Sequence, residues 1–567
     1  MIDLKHVFSL VPKAEIPRSR FNRDHTHKFT MNAGVLVPFL WDRVYPGDTF
    51  NVRTSIFARM ATLISPIMDD LWIDTHYFFV PSRLVWNNFQ KFMGEQEDPD
   101  SSIDYVEPQV FPNSDASFTV SAESVMDYMG CPLGSIYGGR KLNMSALPFR
   151  ALCLIWNEWF RDENLQNSIK IQKGDTAGYT TSNASLPNSV FHGAGSCLPR
   201  NKRHDYYTSA LPWPQKPLNG SVSISATIPL NGTANVFGNG KALSLTDGSV
   251  LTGVYQAASD NALKTGTNAY GSAIGSDQQG STNDLDDKAL GVITKALAGT
   301  TPEKSGLIAD LSTATGATIN QLREAFQVQR FLEKSARTGT RYTEIIRGMF
   351  GTVSPDARLQ RPEYLGGSSS RIEVNVVPQT SASVDGVTPQ ANLSAFATGS
   401  NRRGDGFTKS FVEHGFIFGL VSIRGPLIYQ QGLNRQFSYK TRFDYYWPTF
   451  AHLGEQTVLN KEIFAQGTSD DDGVFGYQER YAELRYFPSM ISGKFRSTYS
   501  APLDSWHLAQ KFDSLPTLSD QFIRENPPIS RIIAVPDESQ FLVDAYIKMD
   551  CARPIPLYGV PGLIDHF

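Results

Sequence analysis

The chain has 567 residues, 41% hydrophobic and 19% charged, with a formal net charge of −4 and an isoelectric point near 6.2. That is long enough to bury cores without disulfide or metal staples, and the length suggests about three to five domains of roughly 100–200 residues, unless one sandwich carries long insertions. The acidic balance excludes a chain that coats nucleic acid with a uniformly basic surface, and no apolar run reaches the roughly 18 residues of a membrane span.

Residues 1–32 read as an extended N-terminal arm. IPRSRFNRDHTHK carries Arg18, Arg20, Arg23 and Lys28, has proline, and lacks a helical period. It suits either a solvated terminus or an arm lying on a neighbouring subunit or facing nucleic acid. Its start lacks the apolar core and cleavage site of a secretory leader, so the expectation is a protein soluble when made.

Residues 33–217 read as the first part of a β-sandwich with helical insertions. Over 35–44 a strand is interrupted by Pro38, which suits an edge or a bend. The stretch 48–80 is the candidate core, two long strands joined by a proline-bearing excursion. Phe50, Val52, Thr54, Ile56 and Ala58 alternate with polar residues, and only Phe57 breaks the period. The second strand crowds apolar residues onto both faces at its end, so it should lie between two layers. A short helix is expected over 82–94 with Ser82 as N-cap. A stronger one over 145–164 carries the stripe Leu152, Ile155, Trp156, Trp159 and Phe160, a core face rather than a cofactor box. Over 200–217, basic residues interleave with Tyr and Trp before three prolines. That pattern suits either stacking of single-stranded bases or a proline-pinned loop between elements or subunits.

Composition shifts over 218–317 to Ser, Thr, Gly, Ala and Asn, with Phe237, Tyr255 and Tyr270 the only aromatics. Too little bulk is present for a large core, so this is expected to be a surface-projecting insertion. Residues 318–567 restart regular structure. Thr318 and Gln321 form a capping box for a helix with Leu322, Ala325, Phe326 and Leu332 on its apolar face. Strands are expected over 371–377, 411–424, 480–487, 531–535 and 541–551, the second of them apolar on both faces. The expected fold class is therefore mainly β, one sandwich that opens early and closes late.

Chemistry-bearing patterns are sparse. There is no P-loop, Rossmann glycine pattern, GxSxG elbow or HExxH. Glu479 and Glu483 mimic a glycosidase carboxylate pair, but Arg480 and Arg485 beside them favour a structural charge cluster. Glu413-His414 lacks a third partner, and His192 and His204 flank Cys197 without ligand spacing. Arg403-Gly404-Asp405 is a short chance match in a glycine-rich loop. Asp284, Asp286 and Asp287 lack the glycine and bidentate Glu of a calcium loop and count as solvated charge. The four cysteines, Cys131, Cys153, Cys197 and Cys551, have no CxxC spacing and read as buried free thiols of a reducing cytoplasm. No enzyme, cofactor or metal site is expected.

Several long blocks carry a family likeness. IPRSRF, LVPFLWDRVYPGDTFNV, FARMATLISPIMDDLWID and YFFVPSRLVWNNF, then SALPFRALCLIWNEWFRDENLQ, HDYYTSALPWPQK, HGFIFGLVSIRGPLIYQQGLNR and YQERYAELRYFPSMISGKFRS, resemble the major capsid protein family of gokushoviruses. These are small single-stranded-DNA phages of the microvirus family. The likeness spans nearly the whole chain and fails only across 218–317. It implies a viral jelly-roll β-sandwich assembling into a T=1 icosahedral shell around circular single-stranded DNA. It implies a threefold protrusion built by the insertion, with Phe237, Tyr255 and Tyr270 as candidate host contacts, and a receptor or glycan as partner. It also implies a small basic DNA-packaging protein, needed because the chain is acidic, and a virion assembled in the bacterial cytoplasm without membrane insertion. Trp213 and Trp447, in aromatic and Arg-rich loops, are candidate subunit-interface anchors. The basic arm is the candidate DNA-facing segment. The rival class is a soluble glycan-binding or glycan-cleaving jelly roll, which the missing carboxylate pocket disfavours.

Overall fold

The computed structural model describes residues 17–110, 118–134, 136–137, 142–175, 197–215, 319–337, 344, 347–348, 360–378, 380 and 392–558, with short strands between 235 and 310. The chain divides into two compact units, 1–216 with 332–567, and Pro217–Phe331.

The first unit is built from β1 (Ser19–Asn22), β2 (His25–Met31), β3 (Val35–Val44), β4 (Thr49–Met60), β5 (Leu71–Pro81) and β6 (Leu198–Pro199). Later come β7 (Glu363–Pro378), β8 (Leu393–Ser410), β9 (Gly415–Arg424), β10 (Glu455–Leu459), β11 (Val474–Glu479) and β12 (Phe541–Arg553). Two antiparallel four-stranded runs, β2–β12–β4–β8 and β3–β9–β5–β7, form the sandwich. The β7–β8 hairpin joins them. Ile372–Pro378 pairs with Leu393–Gly399; β7 then runs along β5 while β8 runs along β4. This is the strand order of a jelly roll, mainly β as expected, with strands from the two ends of the sequence lying side by side.

Alternation explains the enclosed core. On β4, Phe50, Val52, Ile56, Ala58 and Met60 are buried while Arg53, Ser55, Phe57 and Arg59 are exposed. They meet Ile73, Tyr77 and Phe79 of β5, Val421 and Ile423 of β9, and Val543, Ala545 and Ile547 of β12. Each large apolar side chain so buried contributes about 1.5–3 kcal/mol. A polar knot crosses this interior. Asp405 accepts hydrogen bonds from Thr75 and from Tyr77 at 3.1 Å, and Thr54 bonds the Tyr77 hydroxyl. A register shift in β8 between Asn401 and Asp405 turns that carboxylate inward.

The strands β5 and β9 bury both faces. Their second face, Phe78 and Val80 with Phe416, Phe418 and Leu420, packs against α1 (Leu147–Ile155) and the π turn Trp156–Phe160. This matches the reading of both as central strands. Of the expected helical stripe, Leu152, Ile155, Trp156 and Phe160 are buried, and Trp159 is 36% exposed. Pro38 is accommodated by a bulge, where β9 shifts register between Gly419 and Leu420.

Several expectations are corrected. From Ser19 the arm is strand: β1 and β2 lie along β12, so hydrogen bonds to the chain's own last strand fix it. Residues 480–487 form a short 3-10 turn rather than a strand, because Tyr481 takes a left-handed conformation that ends β11. Residues 531–535 contribute only an isolated bridge from Ile533 to Leu63. The tripeptide at 403–405, expected in a glycine-rich loop, lies within the 18-residue strand β8. Ser82 opens only a 3-10 turn and makes no cap bond, and the helix proper is Phe89–Phe92. Cys153 and Cys551 are buried free thiols, but Cys131 and Cys197 are half-buried.

In the second unit, Asn235–Gly238 pairs with Leu307–Asp310, Leu243–Leu245 with Val292–Thr294, and Leu263–Thr265 with both Val254–Gln256 and Ala273–Ile274. Helix α2 (Ile319–Arg337) follows; Leu332 is buried while Ala325 and Phe326 are exposed, so the expected apolar face is not wholly covered. Thr318 and Gln321 lie outside the residues whose side chains are described.

Candidate functional site

Between β9 and β12 the chain runs for more than a hundred residues with only the β10–β11 hairpin as regular sheet. What orders it is a third core of Tyr206, Tyr207, Tyr429, Val458, Ile463, Phe475, Phe522 and Ile523. Tyr206 and Tyr207 of the basic-aromatic stretch thus turn their rings inward. Tyr206 and Tyr207 pack edge to face at 5.2 Å, and Lys202 is buried 4.5 Å from the Phe522 ring, so the base-stacking reading fails there. Burial pushes the Lys202 ammonium down to about 8.

On this core sits the loop 433–453, whose large side chains point outward. Phe437 is 81% exposed and Trp447 48% exposed, and Phe443, Tyr445, Tyr446 and Leu453 are exposed beside them. Its backbone is nevertheless fixed at four points. Asn434 accepts from the Gln436 N–H at 2.9 Å, opening the turn Arg435–Ser438. The Arg435 guanidinium descends to Glu462 at 2.8 Å and Glu483 at 3.7 Å, and also donates to the Thr457 carbonyl at 2.6 Å. Asp444 accepts from the N–H groups of Thr441 and Lys440, at 2.6 and 2.9 Å, and these bonds hold its carboxyl below the usual range. Finally the Tyr481 hydroxyl accepts from Trp447 N–H at 3.3 Å and donates to the Tyr445 carbonyl at 3.2 Å.

Glu462 lies deeper than Arg435, with side chains 2% and 17% exposed. Burial therefore pushes the Glu462 carboxyl up against the opposing pull of Arg435. For Arg435, burial alone acts downward, but Glu462, Tyr206 and Glu483 outweigh it and hold the guanidinium up. Tyr206 also donates to Glu462 at 2.9 Å. Glu479 and Glu483 do not converge: Glu479 pairs with Arg485 and Glu483 with Arg435, the structural charge cluster expected from sequence. Glu413 is held by Arg83 at 2.8 Å beside His414, in a cleft of about 320 Å³.

Exposed aromatic and apolar side chains on a rigid backbone are the signature of a surface that binds protein, since a free monomer gains nothing from presenting them. A family model described as a capsid protein (F protein) matches residues 9–563. The chain belongs to that capsid family. This capsid-family chain is 42% identical to the capsid protein VP1 of Chlamydia phage 1, over 99% of this chain and 98% of that one. It is 41% identical to VP1 of Bdellovibrio phage phiMH2K over 99% and 98%, and 34% identical to VP1 of Spiroplasma virus 4 over 98% and 97%. Its role is structural rather than catalytic. It builds a shell from copies of itself, and its place is the virion. No helix among the described residues is long and apolar enough to cross a membrane.

The candidate residues fall in different places. Trp447 lies within the exposed loop, and Trp213 is half-buried, two residues past Leu211, which bridges Tyr477. Of the arm cations, Arg20 pairs with Asp550 at 2.7 Å, Arg23 with Asp42, and Lys28 with Asp544 at 3.9 Å. Arg18 donates to the Gly47 carbonyl at 3.0 Å. Each of these four arm cations is thus already partnered within the chain. Phe237 pairs with Ile308 and Tyr255 with Lys264 in the second unit, and Tyr270 lies outside the described residues. Sequence reading missed Tyr481 and Arg435. The polar turn signal at Asn434 was legible, but a left-handed tyrosine has no sequence signature.

Proposed function

We propose that this chain assembles as a T=1 icosahedral shell enclosing circular single-stranded DNA, with the loop 433–453 and Trp213 as subunit contacts. The observation that carries the reading is the pre-organised aromatic loop. Tyr, Trp and Phe held rigid and exposed lose little entropy on docking and anchor interfaces. Heterologous patches of this kind close into a shell when their rotations close. The acidic net charge of −4 means the shell alone does not neutralise packaged phosphates, so a small basic protein accompanies the genome. The 218–317 insertion, with Phe237, Tyr255 and Tyr270, meets a receptor or glycan on the host surface, and assembly takes place in the bacterial cytoplasm.

Electron microscopy of the full chain, purified alone and with that basic protein, tests the reading. Closed isometric particles with outward density at the insertion are the expected result. Monomers in both preparations would overturn self-assembly as proposed.

A further inference from the structure

The outward face of β2–β12–β4–β8 carries the Lys28–Asp544 pair and takes no part in the aromatic loop 433–453. Strand alternation places Arg53, Ser55, Phe57 and Arg59 of β4 on it, beside Leu542, Asp544, Tyr546 and Lys548 of β12. The register sets Arg53 directly opposite Lys548 and Ser55 opposite Tyr546. Like charges directly opposed across a sheet are destabilising, so this pair is unfavourable in the isolated subunit. The carboxylates around it are committed elsewhere: Asp550 to Arg20, Asp544 to Lys28, and Asp24 to the Met549 N–H at 2.8 Å and the Tyr546 hydroxyl at 3.2 Å. Lys548 acts on Asp24 only through space, and Arg53 makes no ion pair among the described residues.

Two rings complete the face. Phe57 is 45% and Tyr546 44% exposed, and Phe57 pairs in register with Asp544, which makes the rings diagonal neighbours. The bond to Asp24 ties down the Tyr546 hydroxyl and so holds its ring.

We propose that this face is where the shell grips single-stranded DNA, Arg53 and Lys548 taking backbone phosphates and Phe57 and Tyr546 stacking on bases. The inference rests on the enclosure reading and specifies its contact surface. Arg53, with no ion pair among the described residues, and Lys548, which meets Asp24 only through space, call for an anion, and adjacent exposed rings call for a planar partner. Unpaired nucleotides supply both, whereas duplex hides its base faces. An acidic protein surface would satisfy the cations alone. The arm fits less well, because Arg20, Arg23 and Lys28 are each paired with a carboxylate within the chain.

The experiment is ultraviolet crosslinking of DNA-filled particles of the full chain, followed by nuclease and protease digestion and mass spectrometry. Nucleotide adducts are expected on the peptides carrying Phe57 and Tyr546. In Arg53→Gln/Lys548→Gln particles the adduct yield should fall about threefold or more, as two phosphate contacts are lost. The wild-type adduct map needs no variant to assemble. Filled particles with adducts only elsewhere would overturn this inference and leave enclosure standing. So would adducts here that ignore the Arg53/Lys548 change. Particles without DNA would overturn both.

Discussion

Arg435 Nη1 lies 2.8 Å from Glu462 Oε1, a buried ion pair that ties the exposed aromatic loop to a buried carboxylate beside the third core. Removing one partner of such a pair leaves an uncompensated buried charge, at a cost of about 3–5 kcal/mol. Arg435→Met should therefore lower the unfolding midpoint of the unassembled chain clearly. Arg435→Met/Glu462→Leu should recover much of that loss, because no charge is left stranded. Thermal unfolding of the two variants checks the ordering. A double variant as unstable as the single one would show that the clamp is not the source.

Tyr481→Phe separates positioning from stability. The hydroxyl holds Trp447 N–H and the Tyr445 carbonyl near the surface, where water substitutes, so the stability loss should be about 1 kcal/mol. Assembly should suffer more, because the loop is no longer fixed before docking. Trp447→Ala and Trp213→Ala remove the anchors themselves. Particle yield, measured by sedimentation, should fall for each variant while circular dichroism of the monomer stays unchanged.

The sandwich was legible because period-2 alternation survives wherever one face is buried, as on β4, and because strands buried on both faces, β5 and β9, announce themselves by continuous apolar runs. The 18-residue β8 escaped because Gly, Asn, Arg and Asp at 399–406 read as loop; its partners β4 and β7 impose the strand, with a register shift absorbing the misfit. The strand expected over 480–487 failed for the opposite reason, a favourable composition cut by the left-handed Tyr481. The candidate site was only half visible. Exposed Trp447 and its aromatic neighbours stand out in the sequence, whereas the clamps that make them rigid join residues far apart along it. The arm cations were visible, but not the carboxylates of β12 and β3 that pair with Arg20, Arg23 and Lys28.

His76 should make the fold sensitive to mild acid. Burial, with help from Arg200, pushes its imidazole down to about 4 from an ordinary value near 6.5, although Asp74 opposes. Its ring packs 5.4 Å from Phe160. As pH falls through 6.5 the unfolded chain gains a proton that the folded chain refuses. Stability is then lost progressively until pH reaches about 4, by about 3 kcal/mol in total. His76→Phe should flatten the unfolding midpoint between pH 6.5 and 4 relative to the parent. An identical acid slope in both proteins would assign the sensitivity to other groups.

Gly34 supports the join between the sandwich and the segment that leads into the third core. It sits at φ +80°, donates to the Ile423 carbonyl at 3.0 Å, and accepts from the Arg200 N–H at 2.8 Å. A Cβ there would meet the backbone oxygen of Glu525 at 2.0 Å, and Glu525 is itself bonded to the Arg200 carbonyl. Backbone on three sides cannot step aside as a flexible side chain would. Gly34→Ala combines left-handed strain with this clash and should cost about 3 kcal/mol or more. Gly94→Ala provides the control. Its φ is +101°, yet a Cβ there meets nothing within 4 Å, so strain alone should cost about 1 kcal/mol. Unfolding midpoints of the two variants should differ accordingly. Equal losses would mean that the Glu525 contact relaxes, and that the third core is not braced against the sandwich at this point.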